Sequence, residues 1–472
     1  MEVGRWKLDS WCARGEIEMK RGYKPLHDIP MNLRALVYMN PVVFDKISKK
    51  SLYEKDSGFL WAKQLIESHP FWRFTVLVPK GFDQSFFSTI ANVECWEYDY
   101  ATNAQQNRYH FNKNIISRIL PYSTDIDIVI NMQPEVSENL RVFFLNQRRE
   151  RPIIINYFHW IDSMENEGYA KELSGFIWRQ VEGVNAADMS MFHTEGSRQQ
   201  FEKMREKHNL PQSDYNYDYF HPLPTWFGEV EFPLPDKKII LFNHRLNNTT
   251  GWQEVLKIFQ EMNRDDAVLW FTDDQNTRGI KKLKDIKGVI VKHVPFESYG
   301  YLLRNSWVSV ANMDKYVTWN MAVLDSLVYG TPVISNDKHS IMSELGCVTT
   351  DNLKHTLEAY LQNIKVISSI PHGIGNPDEL WKQEQSTLYS WVEHTIKDRV
   401  KDKTPKKYDM VKKLIEDMGE VTKRDMVNKY WSFHANSNFQ TIRWKLLSEG
   451  IVDAGVRNYK DPGTLYQMEE SK

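Results

Sequence analysis

The sequence predicts an α/β fold: two doubly wound parallel sheets in tandem, followed by a small helical module that closes with a β-hairpin. Three observations lead there. Short apolar strands alternate with helical patterns from residue 33 to about residue 205. The alternation stops in a stretch rich in Tyr, Phe, Pro and Trp at 213–236, then resumes from Lys238 to about residue 335. After residue 400 the order changes to helices first and paired strands last. Apolar strands separated by helices form parallel sheets covered on both faces.

Each element follows from its local pattern. Residues 1–32 are irregular and carry no assigned chemistry. In the first unit, 33–39, 74–78, 92–98, 126–131, 153–158 and 189–192 are apolar, β-rich runs that fit buried strands. Helical spacing falls at 59–68, 82–90, 136–147, 169–184 and from 197 to Arg205. Pro222, Pro224, Pro233 and Pro235 mark 213–236 as an interdomain linker. The second unit reads as strands at 239–242, 268–272, 289–293, 308–311 and 332–335, with helices at 252–262, 299–305 and 321–329. A long helical pattern at 379–400 is placed to pack back across both units, and the basic stretch 401–407 with Pro405 reads as a hinge.

The tail reads as a winged helix-turn-helix. Helical spacing at 408–418 stops at Gly419. Thr422 and Asp425 form a Thr-x-x-Asp capping box for a helix at 423–431. A third helix, 437–449, ends at Gly450. Runs at 451–456 and 464–468 then pair across Asp461-Pro462-Gly463. In the third helix Phe439, Ile442, Leu446 and Leu447 form the apolar stripe. Asn438, Gln440, Thr441, Arg443, Trp444 and Lys445 lie opposite, and Asn438, Gln440, Thr441, Arg443 and Lys445 are the candidate nucleic-acid contacts. Residues 401–472 hold 14 Lys and Arg against 11 Asp and Glu, a small surplus for duplex DNA. A protein partner for the module therefore stays open.

Composition bounds the rest. The 472 residues carry 60 Lys and Arg against 62 Asp and Glu, so no global basic surface draws a polyanion. Cys12, Cys95 and Cys347 are odd in number and lack metal-ligand spacing, which predicts a reducing compartment, no disulfide framework and no zinc site. No apolar run approaches the roughly twenty residues of a membrane span, and no secretory signal opens the chain. The expectation is a cytoplasmic protein (in the host cell if viral) that is no membrane partner and needs no obligate protein partner. The sequence lacks the Gly-x-Gly-x-x-Gly, P-loop, His-Glu-x-x-His and Gly-x-Ser-x-Gly patterns, which argues against dehydrogenase, NTPase and hydrolase readings.

Two segments carry the most specific chemistry. Residues 316–334 run Tyr-Val-Thr-Trp-Asn-Met-Ala-Val-Leu-Asp-Ser-Leu-Val-Tyr-Gly-Thr-Pro-Val-Ile, a loop entering a helix with an internal carboxylate. Loop amides and a helix N-terminus suit a diphosphate. The segment resembles the donor-binding signature of GT-B glycosyltransferases. That resemblance implies two Rossmann-like domains, with Thr318, Trp319, Asn320 and Met321 at the donor and Asp325 on the ribose hydroxyls. Such enzymes often carry a second acid eight residues earlier, where this chain has Val317. Residues 242–252, Phe-Asn-His-Arg-Leu-Asn-Asn-Thr-Thr-Gly-Trp, resemble the Arg…Thr-Thr-x-Trp stretch of the bacteriophage DNA glucosyltransferases. This resemblance implies Arg245 at the donor diphosphate. The family's lysine is replaced by Gln253, with Lys281 or Lys282 as substitutes. His159 and Asp162, after a buried strand, resemble that family's Gln-His-Asp-His segment and are the candidate catalytic pair. Gly58, in the first loop, lets backbone approach the donor, and His193-Thr194-Glu195 sits at another strand end facing the same cleft.

Together these resemblances, spread over residues 33–400, imply an N-terminal acceptor domain (1–230), a nucleotide-sugar domain (231–400) and the winged helix (401–472). The implied activity is sugar transfer, with retention, from a UDP-sugar (UDP-glucose first), without a metal, to a hydroxymethylated pyrimidine in double-stranded DNA. Two alternatives stay open: a glycosyltransferase acting on a cell-surface glycan, lipid or protein, and a nucleotide-sugar-sensing DNA-binding protein.

Overall fold

The computed structural model describes residues 31–39, 57–79, 87, 90, 92–98, 126–147, 151–161, 178–210, 214–246, 250–273, 283, 285–313, 317–336, 340–362, 376–401, 408–418, 420–422, 439–450, 452–458 and 461–467. The expected helix at 423–431 and most of that at 82–90 lie outside them, as do Asp162, Lys281, Lys282 and Asn438.

The first sheet has seven parallel strands: β1 (Arg34–Tyr38), β2 (Arg73–Pro79), β3 (Val93–Tyr98), β4 (Ile128–Asn131), β5 (Ile153–Tyr157), β6 (Met189–Phe192) and β7 (Tyr217–Tyr219), in the order β3-β2-β1-β4-β5-β6-β7. Helices α1 (Ser57–Ser68), α2 (Ser137–Gln147) and α3 (Glu195–Lys207) connect them. Side chains alternate across the strands. Ala35 and Val37 of β1 enter one core with Phe59, Trp61 and Leu65 of α1. Leu36 and Tyr38 enter the opposite core with Leu140 and Phe144 of α2.

The second sheet has six parallel strands: β8 (Lys238–Phe242), β9 (Ala267–Phe271), β10 (Val289–Val291), β11 (Val308–Ala311), β12 (Val333–Asn336) and β13 (Val348–Thr350), in the order β10-β9-β8-β11-β12-β13. Its helices are α4 (Trp252–Met262), α5 (Phe296–Asn305), α6 (Met321–Val328), α7 (Ser340–Glu344) and α8 (Leu353–Gln362). Each sheet reverses strand order once, between β1 and β4 and between β8 and β11. Open parallel sheets bind ligands at such a switch point.

One feature departs from the sequence reading. The segment read as linker begins with β7, which pairs in parallel with β6 (Ser190 opposite Tyr217, Phe192 opposite Tyr219). Arg198 of α3 stacks 4.5 Å over the Tyr217 ring and bonds the Tyr219 hydroxyl at 3.2 Å, so the aromatic run serves as an edge strand. Helix α9 (Pro377–Val400) leaves the second unit and packs into the first, where Trp381, Leu388, Val392, Ile396 and Val400 join the core of α1 and β1.

The tail holds α10 (Tyr408–Met418), β14 (Glu420–Thr422), α11 (Phe439–Ser448), β15 (Val452–Asn458) and β16 (Asp461–Gln467), with an antiparallel sheet ordered β14-β16-β15. The face of α11 expected to meet nucleic acid is instead largely interior. Thr441, Arg443 and Trp444 are all buried, and Trp444 and Leu447 belong to the first domain's core. The guanidinium of Arg443 is hidden because Asp127 neutralises it. Lys445 is half-buried, its ammonium 5.1 Å over the Tyr408 ring. Gln440 lies in α11 by its backbone, and its side chain is outside the description. Among the described residues no helix is long and apolar enough to cross a membrane.

Candidate active site in the cleft between the two sheets

The carboxyl ends of β5 and β6 bring three titratable rings together. Tyr157, the last residue of β5, is buried and stacks on Trp61 of α1, with centroids 3.8 Å apart and planes 10° from parallel. Its hydroxyl lies 2.6 Å from Nε2 of His193, the residue after β6. Burial, helped by the charge of Glu384, holds the Tyr157 hydroxyl well above the usual tyrosine range, so it keeps its proton. Burial first, then the neighbouring His159 and His221, holds His193 well below the usual histidine range, while the Thr318 backbone opposes that shift. His193 is therefore neutral. The His159 ring stands 6.0 Å from it at 81°.

The second sheet contributes its switch point. Asn243, just past β8, ties three elements: its Nδ2 donates to the Ala322 carbonyl and to Ser326 Oγ, both at 3.0 Å, and its Oδ1 accepts from Ser309 Oγ at 3.1 Å. His244 is buried and pushed down to about 4. Arg245 is exposed, and its carbonyl accepts from Thr250 Oγ1 at 2.7 Å. Gly251 opens α4 at φ +57°, and a Cβ there would lie 2.2 Å from the Asn312 carbonyl oxygen, so only glycine fits this turn.

The loop before α6 and the helix's first residue hold four of the residues expected at the donor. Asn320 caps the helix, its Oδ1 accepting from the Val323 amide at 3.2 Å, and Met321 is the half-buried first helical residue. Thr318 is buried and bonded across to the first sheet's side twice. Its Oγ1 donates to the His159 carbonyl at 2.9 Å, and its carbonyl accepts from Ser197 Oγ, in the first turn of α3, at 3.0 Å. The Trp319 ring sits between two imidazoles, 5.6 Å from His193 and 5.5 Å from His221. His221 is fixed by Glu384 of α9, which accepts from its backbone amide at 2.9 Å and from its ring Nδ1. Farther along α6, Asp325 is buried, and its Oδ1 accepts from the Thr225 amide at 2.7 Å. Burial pushes this carboxyl up to about 8, although Thr225 opposes the shift.

The structure thus brings His159, Thr318 and Trp319 into one cluster at the meeting of the two sheets. Arg245, Asn320, Met321 and Asp325 lie on the second sheet's side. Gly58 is buried in the first turn of α1, one turn before Trp61. Sequence reasoning missed His221, Ser197 and Glu384. Glu384 had no local signal, since a buried acid in an amphipathic helix reads as a solvated one. Ser197 was visible only as part of the strand-end His-Thr-Glu-Gly-Ser run.

No protein-family model matches the chain, and no curated protein matches its sequence. Solved structures do match its fold. A sucrose-phosphate synthase from Thermosynechococcus elongatus aligns with a TM-score of 0.55 at 11% identity, covering 78% of this chain and 99% of that one. HepE of Anabaena, solved with UDP and glucose, aligns with a TM-score of 0.52 at 11% identity over 76% of this chain and 100% of its own. A trehalose-6-phosphate structure from E. coli, bound with UDP-2-fluoro glucose, aligns with a TM-score of 0.51 at 12% identity, over 77% of this chain and 98% of that one. The chain has the GT-B architecture: two Rossmann-like α/β domains whose sheet ends face a common cleft.

Proposed function

We propose that this protein is a glycosyltransferase that moves a hexosyl group, glucose first, from a UDP-sugar to an acceptor hydroxyl, with retention and without a bound metal. One observation carries the reading. The loop and helix that resemble a nucleotide-sugar site stand at the cleft of a GT-B fold, and two of the similar structures hold UDP-based ligands. Transfer needs stabilisation of the leaving diphosphate, and this chain offers the exposed guanidinium of Arg245 and the N-terminal amides of α6. Asp325 is the candidate for the ribose hydroxyls, and binding there exchanges the Thr225 amide for them or adds to it. His159 and Asp162 are the candidates for the acceptor hydroxyl, and Gly58 and Lys281 for further donor contacts. Isothermal titration with UDP-glucose tests the donor half: micromolar-range binding is expected, and none across a panel of nucleotide sugars would end the reading.

The acceptor we propose is the hydroxymethyl group of a modified pyrimidine in double-stranded DNA. Two features support it: the resemblance of 242–252 to the phage enzymes, and the reading of the tail, with α10, α11 and the strands β14-β16-β15, as a winged helix. Because Thr441 and Arg443 are buried, any DNA contact falls to other residues of the tail and to the cleft rim. A base in a duplex must also be flipped out to reach the cleft. Nucleoside mass spectrometry on DNA containing 5-hydroxymethylcytosine or 5-hydroxymethyluracil, incubated with UDP-sugars, decides it. A hexose-sized gain on one base is expected; transfer only to glycan, lipid or protein acceptors would replace this acceptor.

A further inference from the structure

The loop at 317–320 belongs to the second domain, yet the first domain and α9 hold it. Ser197 Oγ bonds the Thr318 carbonyl, the His159 carbonyl takes the Thr318 hydroxyl, and the Trp319 ring lies between His193 and His221. His193 is central to this arrangement, and Tyr157 sets its state. The stack of the Tyr157 ring on Trp61 places its hydroxyl 2.6 Å from Nε2 of His193. A phenol brings one proton, and a neutral imidazole has one acceptor nitrogen. With the phenol as donor, Nε2 accepts and the ring proton resides on Nδ1. From the second domain, the Trp319 ring lies 5.6 Å from His193, and the Thr318 backbone acts on it electrostatically.

We propose that Tyr157 and His193 are positioning residues for the donor loop: Tyr157 fixes His193 as the Nδ1–H tautomer, and His193 with Ser197 holds Thr318 and Trp319 so that the α6 N-terminus is set for a nucleoside diphosphate sugar. The proposal rests on the reading of this cleft as a nucleotide-sugar site. Tyr157 acts through His193 and the loop and does not touch the donor itself. Its removal costs donor affinity because the loop must then be ordered at the moment of binding, and a site left partly unformed binds more weakly by its unformed fraction. The converse also holds: donor bound to the loop tightens the contact between the domains, since coupling between two events is reciprocal.

The test uses the full-length protein. Tyr157→Phe keeps the ring and its stack and deletes the hydroxyl. Tyr389→Phe, which removes a part-buried hydroxyl bonded to Glu393 away from the cleft, controls for general loss of stability. Three quantities are read: UDP affinity by calorimetry, deuterium exchange of the 317–323 amides, and the His193 tautomer by nitrogen-15 NMR assigned with His193→Gln. Tyr157→Phe is expected to weaken UDP binding about tenfold, the worth of one ordered hydrogen bond. It should also speed exchange in 317–323 and mix the His193 tautomers, while Tyr389→Phe changes none of the three. Should Tyr157→Phe fail to fold, Ser197→Ala carries the affinity and exchange arms. Unchanged UDP affinity and loop protection in a folded variant overturn the proposal. A wild-type protein that binds no uridine nucleotide overturns the functional reading instead. In that case the tautomer and exchange measurements still decide whether Tyr157 and His193 hold the loop.

Discussion

Arg443, in α11, forms a fully buried ion pair with Asp127, which precedes the central strand β4 of the first sheet. The carboxylate also accepts from Trp444 Nε1 and from the Arg34 amide, both at 2.8 Å, and the guanidinium reaches the Asn32 carbonyl at 3.0 Å. Removing one partner of such a pair strands a charge away from water at a cost of about 3–5 kcal/mol. Arg443→Met and Asp127→Asn are each expected to lower unfolding free energy by about that much in urea titrations. The double variant should lose less than the sum, because neither charge is then left alone. Wild-type stability in Arg443→Met would return this helix to the role of a solvent-facing reader.

That pair also marks where the sequence stopped being legible. Strands and helices of both sheets were readable because their signals are local: Ile128–Asn131 is continuously apolar, and Trp252–Met262 has one apolar stripe. The loop at 317–320 was readable for the same reason, as one contiguous segment. Helix α11 was read correctly as a helix and wrongly as amphipathic. Its apolar stripe was taken to be its only buried face, but Thr441, Arg443 and Trp444 are buried as well. Asp127, 316 residues away, supplies the charge that makes burial of Arg443 tolerable, and no local pattern encodes that partner. Glu384 and His221 are the same case at the cleft, two polar groups 163 residues apart that are understandable only as a pair.

Stability should fall with acid through buried histidines, His69 and His244 as well as His193. His69 and His244 are each pushed down to about 4 by burial, which for His69 outweighs its bond to the Leu65 carbonyl. The unfolded chain protonates them near pH 6.5, while the folded protein keeps them neutral until about 4. Their contribution is thus fully present above about pH 6.5 and is lost as pH falls toward 4, by about 1.4 kcal/mol per pH unit for each histidine. Urea titrations between pH 7 and pH 4.5 should show this slope, and His244→Leu should flatten it by roughly half of the pair's share. An unchanged slope in that variant would mean that His244 is protonated without strain in the folded state.

Asp325 should act in the opposite direction. Its folded value, about 8, lies above that of an unfolded aspartate, so the folded protein retains a proton that the unfolded chain releases. Stability from this group is fully present below about pH 4 and is lost as pH rises through about 8. Asp325→Asn keeps an acceptor for the Thr225 amide and cannot ionise. The variant should melt higher than the wild type at pH 8.5, with the difference shrinking steadily as the pH is lowered to 5. A melting difference independent of pH would show that the carboxyl is already ionised in the folded protein, stabilised by Thr225.

Arg245 separates fold from function most cleanly, because it is exposed and its only named role is electrostatic. The turn around it is held by other groups. Gly251 meets Asn312, Thr250 bonds the Arg245 carbonyl, and the Leu246 amide donates to Asp273 at 2.8 Å. Arg245→Ala should therefore leave the melting temperature within about one degree of wild type, as surface substitutions away from packed features do. If the guanidinium neutralises a donor diphosphate, the same variant should bind UDP about 10- to 100-fold more weakly, the range of one charge-assisted contact to phosphate. Uridine, which has no phosphate, should bind both proteins alike. Arg245→Lys should recover only part of the loss, since an ammonium keeps the charge and gives up the bidentate fork. Equal weakening for UDP and uridine would place Arg245 at the nucleoside, and no weakening for either would remove it from the site.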